Sequence, residues 1–359
     1  MKIIQLSDWP INEIYKEIQN GKHIDRHNTL YGYDALLNEG FDVITVYPGK
    51  MTVLSRSINY IGRKFGYTNT FIQLRCLILT WRNRDIQAIY CHMLQFTAFL
   101  STMRKKRFLR IPLITISHDA LSEKQSNLKV WQGIDRVLTL GEKTLKLCIE
   151  KANIPERHRN YIDWGADLDF CSQYTQKERR SLDFILATGI ANRDYDLLIE
   201  VFKDIPELNL RIFSSTYQPI VSLPSNVIID NQMTRSSTNK LLPFYYNSLA
   251  TVIPLKQRLD FCNGASILFE SMAMKRPVII TDSKANLVDV EKEKIGFNIE
   301  FNDKKGWVDA IRYLQAHPNE AEEMGERGYK LANEKYNYMN FCNQLIVNIN
   351  WLILKDINH

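Results

Sequence analysis

Gly264-Ala265-Ser266 open an apolar run, Ile267–Met274, inside the stretch SLATVIPLKQRLDFCNGASILFESMAMKRPVIITD (Ser248–Asp282). Three small residues at a helix start let a phosphate approach unpaired backbone N–H groups and the positive end of the helix dipole. Glu270, one turn further on, can accept hydrogen bonds from a ribose diol. The pair suits a nucleoside diphosphate. Two cations can serve the same anion. Arg193 follows the loop opened by Gly189, and its guanidinium can grip diphosphate oxygens bidentately, whereas Lys256 would act as a point charge. A plain surface charge is the alternative for each. His118-Asp119 come directly after an apolar run, Leu113–Ser117, and ligands of open α/β sheets sit outside the carboxyl ends of strands. A capping Asp beside an incidental His is the alternative there.

The elements that must position these groups alternate strand and helix. Strands are expected at Ile3–Leu6, Val43–Val46, Ala88–Cys91, Leu113–Ser117 and Val137–Leu140. A second series follows at Phe184–Thr188, Leu210–Phe213, Val227–Ile229, Leu249–Pro254, Val278–Thr281 and Gly296–Ile299. Trp9–Arg26 reads as a long connection with a short helix, and Asn28–Asn38 as a helix capped by Gly40. A basic helical region follows the second strand. Further helices are expected over Leu94–Met103, Tyr195–Phe202, Asp309–Leu314, Glu320–Glu334 and Tyr338–Leu354. This alternation implies parallel, doubly wound sheets. A domain boundary is expected near Tyr161–Lys177, where the polar run Ser172–Arg180 leads into a fresh strand.

PLKQRLDFCNGASILFESMAMKRPVIITD resembles the donor-binding segment of retaining glycosyltransferases of the family 4 type, which have the two-domain GT-B fold. GIANRDYDLLIEVF (Gly189–Phe202), SHDAL (Ser117–Leu121) and YIDWGADLDF (Tyr161–Phe170) extend the resemblance in the same order. It implies an α/β protein of two Rossmann-like domains with parallel sheets facing a central cleft and a C-terminal helix crossing back to the first domain. The domains would be 1–170 (with 337–359 packing back) on the acceptor side and 171–336 on the nucleotide-sugar side. Donor-binding residues would be Gly189, Asn263, Gly264, Ala265, Ser266 and Glu270, with Arg193, Lys256 and His118 at the chemistry. A histidine at the place of His118 contacts the donor sugar in the family. Asp25, Arg26, His27 and Asn28 fall where such enzymes place acceptor contacts. The family's paired-carboxylate motif is half present, because Cys262 stands where the first Glu belongs. The departure bears on sugar recognition, not on nucleotide binding. The implied reaction moves a sugar from a nucleoside diphosphate to an acceptor hydroxyl, with no metal or other cofactor.

Composition bounds this reading. The 359 residues are 45% hydrophobic and 24% charged, enough for two domains with cores of their own. The chain opens MKIIQLSD without an apolar leader, and its six cysteines show no metal-binding spacing. Reduced thiols in a cytoplasmic protein are the expectation. The longest uncharged run, Ile86–Met103, carries Gln87, His92 and Gln95 and reads as strand plus buried helix, not as a span. Charge is concentrated: eleven cations face one acid, Asp85, between Met51 and Arg110, leaving −4 for the rest of a chain of formal charge +6. With Phe65, Phe71, Trp81 and Phe108 interleaved, this region suits an anionic membrane surface at the inner face of the cytoplasmic membrane or an anionic acceptor. Arg104, Lys105, Lys106 and Arg107 are its densest run. A solvated basic face is the alternative, and no nucleic-acid motif accompanies the charge. An epimerase of the same fold, or a non-catalytic membrane-peripheral binding protein, are the competing functions. A nicotinamide-dependent oxidoreductase is disfavoured, since no G-x-G-x-x-G follows the first strand.

Overall fold

Strands of a parallel sheet covered by helices on both faces must be apolar throughout, and runs such as FILAT and VIIT meet that condition. The computed structural model describes residues 1–21, 27–118, 130–152, 154–175, 183–232, 238–257, 263–283 and 285–357. They form two units, Met1–Asp163 with Met339–His359 and Trp164–Tyr338.

The first unit holds six parallel strands: β1 (Lys2–Leu6), β2 (Asp42–Val46), β3 (Ile86–Cys91), β4 (Leu113–Ser117), β5 (Arg136–Leu140) and β6 (Arg159–Ile162). Their order is β2-β1-β3-β4-β5-β6. The second unit repeats the plan with β7 (Phe184–Thr188), β8 (Asn209–Phe213), β9 (Val227–Asp230), β10 (Ala250–Ile253), β11 (Val278–Thr281) and β12 (Gly296–Ile299), ordered β12-β11-β10-β7-β8-β9. Each sheet therefore grows outward from its first strand in both directions. The carboxyl ends of β1 and β3, and of β7 and β10, flank a switch point, where open α/β sheets bind ligands.

The cores are built from the sheet-facing sides of the helices. Tyr195, Leu198 and Phe202 of the helix Tyr195–Phe202 pack with the fully buried Trp307 and Ile311 of Lys304–Ala316 on one face of the second sheet. Ile4, Leu6, Ile89, Leu100, Cys76 and Trp131 do the same in the first unit. Each such side chain contributes about 1.5–3 kcal/mol when fully buried. Cys76, Cys91, Cys148, Cys171 and Cys342 are buried thiols, and burial pushes Cys91 up to about 12, so it stays protonated.

Two expectations change. Asn28–Asn38 is not one helix: a 3-10 turn, His27–Leu30, is separated from the helix Tyr33–Asn38 by Tyr31 and Gly32, both left-handed (φ 49 and 84). At Gly32 an added Cβ would lie 2.6 Å from Leu345 of the C-terminal helix, so close packing fixes the break. Leu94–Met103 divides into a 3-10 turn, Leu94–Phe96, and the helix Ala98–Lys105. The buried Gln73 caps that helix from outside, its carbonyl accepting from the N–H groups of Phe99 (2.9 Å) and Leu100 (3.2 Å). The division between the two units, at Asp163/Trp164, falls inside the stretch expected to hold the boundary, which also supplies the end of β6 and the helix Leu168–Thr175. The helix Thr238–Asn247 was hidden by its internal Pro243.

The C-terminal helix Tyr338–Ile357 packs on the first unit, as the resemblance implied. Asn348 accepts hydrogen bonds from Arg136 (3.1 Å) and Asn160 (3.0 Å), and Gln344 accepts from the Asp163 backbone (2.8 Å). No helix among the described residues is long and apolar enough to cross a membrane, and Ile86–Met103 is strand and helix as read from its polar residues.

Candidate functional site

Two loops meet at the switch point of the second sheet. After β7 the chain turns through Gly189 (φ 112) and runs back along the loop after β10. Arg193 pairs with Leu255 in an isolated antiparallel bridge, and Lys256 N–H donates to Asn192 C=O at 3.2 Å. The Asn192 side chain completes the zip, donating to the carbonyl of Gln257 and accepting from its N–H, both at 2.9 Å. Tyr195, buried at the helix start, donates its hydroxyl to Gly189 C=O at 2.6 Å. The loop carrying Arg193 is thus held at both ends.

The Arg193 guanidinium lies between two glycines. A Cβ built on Gly189 would stand 3.2 Å from its Nε and 3.3 Å from its Nη2, and one on Gly264 would stand 3.1 Å from Nη2 and 2.7 Å from Ile253 Cγ2. At Gly264 a side chain would force Ile253 to move, at Gly189 it would crowd the guanidinium, and the left-handed backbone (φ 94 and 112) strains a side chain at either. Gly264 is also left-handed (φ 94) at the N-cap of the helix Ala265–Ala273 and supplies no side-chain cap. That leaves the first N–H groups of the helix to solvent or to a ligand. Arg193 Nη1 donates to Ala191 C=O at 2.6 Å, which fixes one edge of the fork.

Asn263 is buried beside this turn, Gly264 and Ala265 are half-buried and Ser266 is exposed. Lys256 is exposed at the rim. Glu270 sits one turn into the helix with only 4% of its surface exposed. The structure therefore gathers Gly189, Arg193 and Gly264 directly, with Lys256 on the zipped loop. Cys262 lies outside the described residues.

A different cluster occupies the switch point of the first sheet. His92 and His118 follow β3 and β4, and Asp8 and Trp9 follow β1. The His118 ring Nε2 faces the His92 carbonyl at 2.9 Å, so Nε2 carries the proton and Nδ1 the lone pair. Burial and the neighbouring His92 push His118 down to about 4, which keeps it neutral at physiological pH. The fully buried His92 is also lowered by burial, against the raising pull of Asp8, whose Oδ1 lies 3.2 Å from its Nε2. Tyr31 stacks on His92 with ring centroids 4.3 Å apart, and Trp9 lies against it at 4.8 Å. The sequence reading assigns none of His92, Asp8, Trp9 and Tyr31 to a site. The position of His92 and Asp8 just past strand ends was the available signal.

Of the acceptor-side candidates, Asn28 is buried and His27 faces Asp34 (Nδ1 to Oδ2, 2.7 Å) on the turn that leads to Tyr31. Asp25 and Arg26, like Asp119, lie outside the described residues. The basic run on the helix Ala98–Lys105 is partly neutralised within the protein. Arg104 makes a forked ion pair with Asp135 (2.9 Å on each arm) and Lys105 meets Gln132, while Lys106 and Arg107 are exposed.

Residues 177–331, most of the second unit, match the family of glycosyl transferases group 1. No curated protein matches the chain by sequence. Among solved structures, the chain is similar to a sucrose-phosphate synthase from Thermosynechococcus elongatus (TM-score 0.71, 14% identity, 99% of this chain and 100% of that one). It is also similar to HepE of Anabaena, solved with UDP-glucose (TM-score 0.65, 13% identity, 98% and 99%). A third is WaaG, a glycosyltransferase involved in lipopolysaccharide biosynthesis (TM-score 0.59, 10% identity, 95% and 97%). At these identities the likeness is one of fold. The fold is that of GT-B glycosyltransferases, as the resemblance read from the motifs implied.

Proposed function

We propose that the chain is a retaining glycosyltransferase of the family 4 type, moving a sugar from a nucleoside diphosphate to an acceptor hydroxyl. The carrying observation is the Arg193 fork held between Gly189 and Gly264, beside an uncapped helix N-terminus. Breaking the anomeric C–O bond sends an electron pair onto the departing diphosphate. Stabilising that charge is the main catalytic task. Arg193, Lys256 and the backbone N–H groups of Gly264–Ser266 do it, and Glu270 holds the ribose. The acceptor oxygen forms the new bond to the anomeric carbon, and its proton leaves with the diphosphate. His118, neutral and with a lone pair on Nδ1, accepts from a sugar hydroxyl.

The donor in this reading is a UDP-sugar, with a GDP-sugar as the alternative. HepE, solved with UDP-glucose, favours uracil. The acceptor is a lipid-linked or cell-surface glycan precursor, a class to which the lipopolysaccharide role printed for WaaG lends support. No resident metal or cofactor takes part. Thermal shift with UDP, GDP and their sugars, followed by release of nucleotide from a labelled donor, tests the reading. Stabilisation by UDP with slow sugar release is the expected outcome. A labelled sugar that returns isomerised and still attached to its nucleotide would overturn transfer in favour of epimerisation.

A further inference from the structure

An amphipathic helix in a globular protein normally turns its apolar stripe inward. The helix Val53–Lys64 does the reverse. It is well formed, with a reciprocal capping box between Thr52 and Ser55. Only Ser55 and Gly62 are buried along it. At Gly62 an added Cβ would lie 1.8 Å from Thr70 Oγ1, so this helix lies directly against the next one, Thr70–Arg82. Asn59 adds a side-chain bond to the Phe71 N–H at 2.9 Å. The inward face, Ser55, Asn59 and Gly62 with the half-buried Ile58, is therefore narrow, and it is fixed in place.

The outward face is large and apolar. Val53 is 81% exposed, Leu54 64%, Tyr60 56%, Ile61 55% and Phe65, at the C-cap, 73%. Val53 and Tyr60, like Leu54 and Ile61, are seven residues apart and form two neighbouring rows of one outward face, with the exposed Ser57 and Lys64 between them. Arg56 and Arg63, also seven apart, run along its flank, and Lys64 lies over the Tyr60 ring at 4.8 Å. No acid occurs between Asp42 and Asp85.

We infer that the helix Val53–Lys64 lies on the surface of an anionic lipid bilayer with this stripe buried at the headgroup boundary. A bilayer offers shallow apolar depth and diffuse negative charge, and both are matched here by an apolar stripe bordered by cations. A second copy of the chain would bring the same cations against its own, which the uncompensated charge opposes. The docking helix replaces the run Arg104–Arg107 as the centre of attachment, and it stands independently of the transferase reading.

The test uses the full chain and vesicles of phosphatidylcholine with or without phosphatidylglycerol. Binding should require phosphatidylglycerol and weaken as salt rises. Leu54→Gln, Ile61→Gln and Phe65→Gln together should lower partitioning by about tenfold or more, since each removes apolar contact of a group already exposed in the free protein. Arg56→Gln, Arg63→Gln and Lys64→Gln together should also cost about tenfold and flatten the salt dependence. An unchanged thermal midpoint shows that either variant is folded. Absence of binding to phosphatidylglycerol vesicles at low salt overturns the inference. So does binding that both variants retain, or a dimer in sedimentation that the apolar variant abolishes.

Discussion

The two switch points are made of opposite materials. At the second, glycines bring backbone and a guanidinium together, and a helix offers its bare N–H groups. At the first, two neutral imidazoles, two aromatic rings and one carboxylate share a packed cluster. The second is suited to a strong, compact anion and the first to a polar but uncharged ligand such as a sugar. One plan of strands therefore carries two chemistries, because strand ends fix position while the loop residues fix polarity.

Removing the central cation should break the contrast most sharply. Arg193→Ala is expected to lower turnover by about 10²–10³, the loss typical of one preorganised donor at a developing negative charge. Steady-state kinetics should show the loss in kcat more than in KM. An intact kcat with a raised KM would make Arg193 a binding residue only.

Glu270→Ala comes next. Losing a charged acceptor to the ribose should weaken UDP by about 1.5–3 kcal/mol, read by calorimetry. Equal affinity in a folded variant would remove Glu270 from the site.

The first crevice should reveal itself through pH. Burial and the neighbouring His92 push His118 down to about 4 from its ordinary value near 6.5, and burial lowers His92 in the same direction, so the fold favours both neutral rings. That contribution is complete above 6.5 and is lost as pH falls from 6.5 towards 4, where the unfolded chain binds the extra proton. Urea midpoints across this window should decline, and His118→Gln should flatten the decline. An identical slope in the variant would assign the effect elsewhere.

Lys256→Ala should have the smallest effect, a few-fold in kcat, because an exposed ammonium is screened by water and salt. Raising ionic strength should shrink the difference between this variant and the parent chain. A loss as large as that of Arg193→Ala would place Lys256 at the centre of the anion site.

The helix-start side of the second crevice was legible because its chemistry is local. Gly264, Ala265, Ser266 and Glu270 lie within seven consecutive residues, and a helix start announces its own anion preference. The first crevice draws Asp8, Tyr31, His92 and His118 from four separate segments, and nothing in the neighbourhood of any one of them names the others. Only His118 stood out, by its place after a strand.

By itself the sequence determined the strands, since buried parallel strands must be apolar along their whole length, and with them the existence of two sheets. It also determined the glycine-led helix start at Gly264. Tertiary structure decided where Asn28–Asn38 breaks, because Gly32 must admit Leu345. It decided that Arg159–Ile162 adds a sixth strand beside β5, just ahead of the division between the units, although Arg-Asn-Tyr-Ile carries no apolar run of its own. Above all it decided which side of the helix Val53–Lys64 meets solvent. Periodicity shows that a stripe exists, but only the close approach of Gly62 to Thr70 fixes the direction in which it points.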